Sequence, residues 1–318
     1  MNIRNIIQVL IISLLVISCN SGQKQSALSF PEVKVPAIMS SEGEQLIFLA
    51  EHYWDEFLKL PALTKKDSLL VNGVPTDVVE QHYANYAGIL SAVPSEIAIK
   101  ASHNLWLRCL DNENKYPDSD ILETIVSHAE KYLYDANSPL RNEDAYAPFA
   151  EGLSAFEGID EAMRGKYLFD AQMCSLNKTG TRAHDFEFCD EAGRIRNLYS
   201  LDNEYILLFF SNPGCKACKY IIDMLSSSVK ISDMISSGRL AVVNMYIDED
   251  LDAWKFYMDI YPKNWYNVYD PNYVIRTDLI YNIRAIPSIY LLDKDKIVLM
   301  KDAVPENAIR YLENNAKL

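Results

Sequence analysis

Tyr205-Ile206-Leu207-Leu208-Phe209-Phe210-Ser211-Asn212-Pro213-Gly214-Cys215-Lys216-Ala217-Cys218-Lys219 joins an unbroken apolar run to two cysteines two residues apart. A run of six apolar residues with no polar alternation reads as a strand buried on both faces. Pro213 and Gly214 end it, and Cys215 opens a segment with helical spacing through Ser228. This places Cys215 at a helix N-terminus, where unpaired N–H groups and the helix dipole favour an anion. The thiolate is the nucleophile of sulfur chemistry, so this position favours an attacking thiol at Cys215. Cys218, one turn into the helix, is predicted to be more buried and to resolve a mixed disulfide. Lys216 and Lys219 add positive potential. Two other readings compete: a structural disulfide, and half of a zinc site. A structural zinc needs four ligands, for which Cys174 and Cys189 are the remaining candidates. Residues 208–215 do not match the Pro-x-x-x-Thr-x-x-Cys spacing of a peroxidatic cysteine.

Outward from this stretch, short strands alternate with helices. Strands are predicted at Asp185–Phe188, Leu240–Ile247, Pro287–Leu292 and Ile297–Lys301. Helices are predicted at Asp250–Tyr261 and at Pro305–Asn315, the latter with proline in its first turn. Such alternation implies a sheet covered by helices on both sides.

These residues carry a resemblance. Gly180-Thr181-Arg182-Ala183-His184-Asp185-Phe186 resembles the lead-in segment of TlpA/ResA-type thioredoxin-fold domains, with His184 where that family has proline. Gly193 falls at the turn of the first hairpin. Ile283-Arg284-Ala285-Ile286-Pro287-Ser288 resembles the family's cis-proline segment. The resemblance implies an α/β thioredoxin-like fold with a central mixed sheet flanked by helices. It implies Cys215 as nucleophile, Cys218 as resolving thiol, and Ile286 and Pro287 as a platform for an extended substrate strand. The chain also departs from the family. Gly214 replaces the tryptophan before the first cysteine, Phe209 stands where a buried acid is common, and Lys-Ala replaces Gly-Pro between the cysteines. These changes point to a narrower exchanger than a general thioredoxin. Ile286 before the proline resembles reductases more than oxidases.

At the other end, Arg4 precedes an apolar run over Ile6–Ile17, followed by Ser18 and Cys19. A charged start, about 7–15 apolar residues and a small residue make a secretory signal, and the run falls short of the roughly 20 residues of a membrane span. The segment resembles the lipobox of bacterial lipoproteins, in which Cys19 would carry the lipid. Asn20, not Asp, follows it, which favours the outer membrane, facing the periplasm, over the inner. The expected organisation is a lipoprotein signal over 1–18, lipidated Cys19 and a Ser/Gln/Pro-rich tether over 19–40, an all-helical domain over 41–170, and the thioredoxin-like domain over 171–318.

The helical reading rests on apolar stripes: Leu46, Ala50, Tyr53, Phe57; Val79, Tyr83, Tyr86, Leu90; and Leu122, Ile125, Val126, Ala129, Leu133. Asp77 and Ser95 are candidate N-caps. Glu51–Phe57 and Ser138–Glu143 resemble a helical domain of unknown function that precedes thioredoxin domains in bacterial lipoproteins. The many aromatics (20 Tyr, 11 Phe, 4 Trp) read as core at helical spacing, with a glycan-binding groove as the rival. The five histidines show no metal spacing, and no metal or cofactor beyond the cysteine pair is expected. Cys109 reads as a core residue, and Cys174 and Cys189 as separate thiols, with a bridge between them as the alternative.

A formal charge of −14 repels phosphate backbones and argues against nucleic acid. The function predicted is an envelope-tethered thiol–disulfide oxidoreductase of reductase type. Its partners would be a client protein carrying disulfides or thiols, a membrane thiol-reducing electron donor, and the membrane through the lipid. The alternative is a non-enzymatic binding or scaffold lipoprotein whose thioredoxin domain holds a structural or vestigial disulfide.

Overall fold

In a computed structural model of the chain, the described residues are 27–60 and 69–315. The signal segment and Cys19 lie outside them. Helices α1 (Glu42–His52), α2 (Thr76–Ala92), α3 (Ser95–Lys115), α4 (Ile121–Ala129), α5 (Glu143–Ala155) and α6 (Glu161–Ser175) form the N-terminal body, with a two-strand hairpin of β1 (Leu70–Val71) and β2 (Val74–Pro75). The last helix crosses residue 170 and ends at Ser175. A capping box starts α1: Ser41 accepts from the Glu44 N–H, and Glu44 accepts from the Ser41 N–H. The expected caps at Asp77 and Ser95 are displaced by one or two positions, because Pro75 and Pro94 occupy the N-cap places in extended conformation. Ser95 instead donates its hydroxyl to Asp144. The third stripe is helical, but α4 gives way to a π-helical turn over Glu130–Tyr134.

The aromatic stripes are core. Trp54, Phe57, Tyr83, Tyr86, Tyr146 and Phe149 are fully buried. Residues 27–40, read as tether, do not all hang free. Phe30 stacks on His82 with ring centroids 3.7 Å apart and on Phe57 at 5.2 Å. The Leu28 N–H donates to the Gly73 carbonyl at 2.7 Å. A large apolar ring beside a core of rings is drawn in by the area it removes from water.

The second body is a seven-stranded mixed sheet in the order β4-β3-β7-β6-β5-β8-β9. Its strands are β3 (Glu187–Asp190), β4 (Ile195–Asn197), β5 (Tyr205–Phe210), β6 (Leu240–Tyr246), β7 (Tyr266–Tyr269), β8 (Ser288–Asp293) and β9 (Val298–Met300). Helices α7 (Lys216–Ser227), α8 (Val229–Ser236), α9 (Leu251–Phe256), α10 (Val274–Thr277) and α11 (Pro305–Asn315) complete it. β5 runs parallel to β6 and antiparallel to β8. Leu207 and Phe209 join the core on one face, and Ile206, Leu208 and Phe210 the core on the other. This is the period-two signature of a strand buried on both sides, and the fold is thioredoxin-like, as the sequence predicts. Three segments differ from expectation. The first strand begins at Glu187, two residues late. The helix after Cys215 breaks at Ser228, whose hydroxyl caps a second helix. The helix expected to reach Tyr261 stops at Phe256.

Two glycines separate packing from propensity. A Cβ on Gly152 of α5 would run into the Trp106 indole, whereas one on Gly165 of α6 meets nothing within 4 Å. Gly152→Ala should therefore destabilise the chain by about 1–3 kcal/mol through overpacking. Gly165→Ala should stabilise it by up to roughly 1 kcal/mol. Urea unfolding of both variants checks the pair of opposite signs.

Candidate active site

Cys215 is the N-cap of α7 in extended backbone (φ −70°, ψ 112°), and its sulfur accepts the Cys218 N–H at 3.1 Å. The two cysteines form a disulfide with Cα atoms 5.2 Å apart. Cys215 is half-buried, whereas Cys218 is 2% exposed. The half-buried cysteine stands at the helix N-terminus, and the buried one lies one turn into the helix.

The loop that presents them depends on Gly214, which lies in the left-handed region at φ +74°, open to glycine without steric cost. A Cβ there would lie 3.5 Å from the Tyr257 hydroxyl. That distance is an ordinary contact, so the cost of a tryptophan here would come from the positive-φ backbone. Phe209, at the position of the family's buried acid, is fully buried with its ring edge-on to Trp265 at 6.4 Å.

The Ile286–Pro287 peptide is cis. Ser288, the next residue, pairs with Phe210, the last residue of β5. The loop carrying Pro287 and the loop carrying Cys215 therefore leave the same end of adjacent strands, and Ile286 and Cys215 pack against the same core. The two motifs quoted from the sequence, about seventy residues apart, meet at one end of the sheet.

Of the two lysines expected to give electrostatic support, one has an acidic partner of its own. The Lys219 ammonium is engaged by Asp223 one turn along, at 2.7 Å, and both are exposed. Lys216 is exposed beside the disulfide. His184 earns a role as a departure from the family: its N–H donates to Asn177 Oδ1 at 2.8 Å, a bond proline has no donor to make. The Asn177 amide in turn donates to the Ile280 carbonyl at 2.8 Å, tying the lead-in segment to the stretch before Pro287.

Cys174 and Cys189 are unpaired and buried in α6 and β3, and Cys109 is a buried thiol of α3. No group of three or more His, Cys, Asp or Glu among the described residues is arranged to hold a metal.

Two groups of residues escaped the sequence reading. The first is a buried amide chain behind the cysteine loop: Ser211 donates to Asn244, whose amide donates to Asn267 Oδ1 at 3.0 Å. Asn244 inside the apolar run Leu240–Tyr246 was the available signal. The second lies around Pro287. Glu143 Oε1 accepts from Asn282 at 2.9 Å and from Arg284 at 2.7 Å, and Glu143 Oε2 lies 2.8 Å from Lys301. Asp302 accepts from Arg284 at 3.1 Å, Arg141 at 3.0 Å and Ser288 at 2.9 Å. The Arg284 guanidinium also lies over the Tyr134 ring, 4.3 Å from its centroid. Burial works against the Arg284 charge, but Glu143 and Asp302 outweigh it and hold its pKa above the ordinary value.

Residues 16–177 match the profile of a domain of unknown function, DUF5106. The crystal structure of a thioredoxin-like protein from Bacteroides caccae ATCC 43185 is similar at 32% identity and a TM-score of 0.75, covering 91% of this chain and 99% of that one. The C-terminal domain of an uncharacterized protein from Bacteroides fragilis NCTC 9343 is 42% identical over 43% of this chain and 97% of its own, with a TM-score of 0.42. A thiol:disulfide interchange protein from Bacteroides sp. is 20% identical over 44% of this chain and 93% of its own, with a TM-score of 0.37. No curated protein matches the chain.

The thiols should separate by reactivity. Burial pushes the Cys109 thiol up to about 12 and raises that of Cys174. After reduction, iodoacetamide should modify Cys215 first, with a midpoint below the ~8.5 of a free thiol. Cys109 and Cys174 should react only in denaturant. Peptide mapping across a pH series reads both; a Cys215 midpoint at or above ~8.5 removes the case for activation by the helix N-terminus.

Proposed function

We propose, for a chain that belongs to the DUF5106-containing family of thioredoxin-like proteins, that it exchanges disulfides with protein clients through Cys215 and Cys218. The observation that carries this reading is the half-buried Cys215 at the N-terminus of α7, at the same end of the sheet as cis-Pro287. In the reductive direction the Cys215 thiolate attacks one sulfur of a client disulfide. A new sulfur–sulfur bond forms between Cys215 and the client, and the client's second sulfur leaves as a thiolate and takes a proton. Cys218 then gives up its proton and attacks the Cys215 sulfur. The Cys215–Cys218 disulfide forms and the first client sulfur leaves. The client gains two electrons and the chain loses two, so an external dithiol donor must restore the pair. The membrane thiol-reducing system implied by the TlpA/ResA resemblance is the class of donor proposed.

Ile286 and Pro287 would receive an extended client strand against their backbone. Lys216 supports the thiolate in this reading, and Lys219 less so because Asp223 engages it. The lipobox resemblance at Cys19 supports a lipid-anchored envelope protein facing the periplasm. The helical domain would select or hold the client.

Replacing Cys218 by Ser in the full chain, expressed in its own envelope, should trap the first intermediate. Non-reducing gels and mass spectrometry are expected to reveal discrete mixed disulfides that vanish when Cys215 is also replaced. Absence of any adduct while Cys215 remains open to alkylation would overturn disulfide exchange in favour of a binding or scaffold role.

A further inference from the structure

The backbone on both sides of Ile286–Pro287 is held by buried charges. Upstream, Asn282 and Arg284 donate to one oxygen of Glu143. Downstream, the Ser288 hydroxyl donates to Asp302 Oδ1, and Arg284 closes the circuit by reaching Asp302 Oδ2. Glu143 belongs to the first turn of α5, in the helical body, and is 2% exposed. Arg141, two residues before it, reaches Asp302 as well. Asn282 and Asp302 are buried as well, each 8% exposed. A buried carboxylate with two directed donors on one oxygen fixes the positions of both donors, since leaving either unpaired costs its full desolvation.

We propose that Glu143 is a positioning residue for disulfide exchange: acting through Asn282 and Arg284, it fixes the loop that leads into Pro287 and sets how tightly a protein client's strand is held opposite Cys215. This rests on the exchange reading above. The helical body is then part of the substrate platform. A client polypeptide needs the ordered loop because its backbone must lie along it. A small aromatic disulfide needs only the Cys215 sulfur. The two substrate classes should therefore respond differently to loss of Glu143.

The test uses the full chain as wild type, Glu143→Gln and Arg284→Lys. Glutamine keeps the size and one acceptor but loses the charge. Lysine keeps the charge between the two carboxylates but loses the planar fork and the contact with Tyr134. Each reduced protein is mixed with insulin and, separately, with the small disulfide 5,5′-dithiobis(2-nitrobenzoate). For both variants the expected result is at least a fivefold rise in the half-saturating insulin concentration with the maximal rate kept within about twofold. The rate with the small disulfide should stay within about twofold of wild type. Parallel loss with both substrates, or no change with insulin, overturns the inference. Amide hydrogen exchange over residues 282–289, followed by mass spectrometry, reads the loop without any turnover. Exchange at least tenfold faster in Glu143→Gln supports positioning, and protection equal to wild type overturns it. If the wild type reduces neither substrate, the exchange reading fails by itself while hydrogen exchange still decides whether Glu143 orders the loop. Glu80→Gln, which removes a surface partner of Lys131, controls for loss of a helical-body charge and should match wild type throughout.

Discussion

Four charges, Glu143, Arg284, Lys301 and Asp302, meet where the helices join the sheet, each largely withdrawn from water. Removing such groups from solvent costs several kcal/mol apiece, and their attraction offsets this only if the geometry is good and the spare protons and lone pairs are satisfied. Here they are. The Lys301 ammonium gives its protons to the carbonyls of Cys174 at 2.9 Å and Leu176 at 2.7 Å while facing Glu143. Arg284 spans two carboxylates and covers an aromatic face. The directed bonds leave little freedom to the elements that carry them: the start of α5, the end of α6, the Pro287 loop and the turn after β9. A hydrophobic joint of the same area would hold these elements together but would tolerate sliding. This one specifies a register.

The sequence was most legible where one short stretch fixes its own structure. Tyr205–Phe210 has no polar residue to expose, so it had to be a central strand, and Pro213-Gly214 had to end it. Cys215 then falls at a helix start for reasons local to those residues. Legibility fell where structure depends on distant partners. Glu143 lies 139 and 141 positions from Asn282 and Arg284; the segment Ser138–Glu143 carries a family resemblance, but nothing local to it names those partners. β7, Tyr266-Asn267-Val268-Tyr269, is too short and too polar to read as a strand; it forms because β6 and β3 offer it open ladders on either side. Phe30 was read by composition as part of a tether, but the decisive fact was the aromatic floor assembled from Phe57 and His82. The N-cap reading failed for a simpler reason: a proline just before a helix takes the cap position itself, and the polar residue after it moves inside the first turn.

The cysteine loop shows one local solution replacing another. Without a tryptophan before Cys215, Gly214 adopts the left-handed turn and Tyr257 closes on it from α9's C-terminal side. Without an acid behind Cys218, the buried side chains in series behind the loop, Ser211, Asn244 and Asn267, are neutral, with Tyr261 nearby, its hydroxyl pushed up to about 12 by burial; the carboxylate that touches the loop, Asp248, accepts from Asn212 and is paired with Arg276. Amides and hydroxyls of this kind hold geometry without carrying a titrating proton in the physiological range. The loop is organised for shape more than for proton storage.

The burial of the other thiols has a consequence for electron counting. Cys109, Cys174 and Cys189 sit in three different elements, each withdrawn from solvent and unpaired. Among the described residues, one sulfur pair alone is open to trade. Regarded as a reservoir, this part of the chain holds a single electron pair, with no second dithiol to refill it from within. Under the proposed exchange, every completed event at Cys215 and Cys218 would leave it spent until an external dithiol restored it. Under that proposal, turnover would depend on encounters with the donor as much as on the chain's own chemistry.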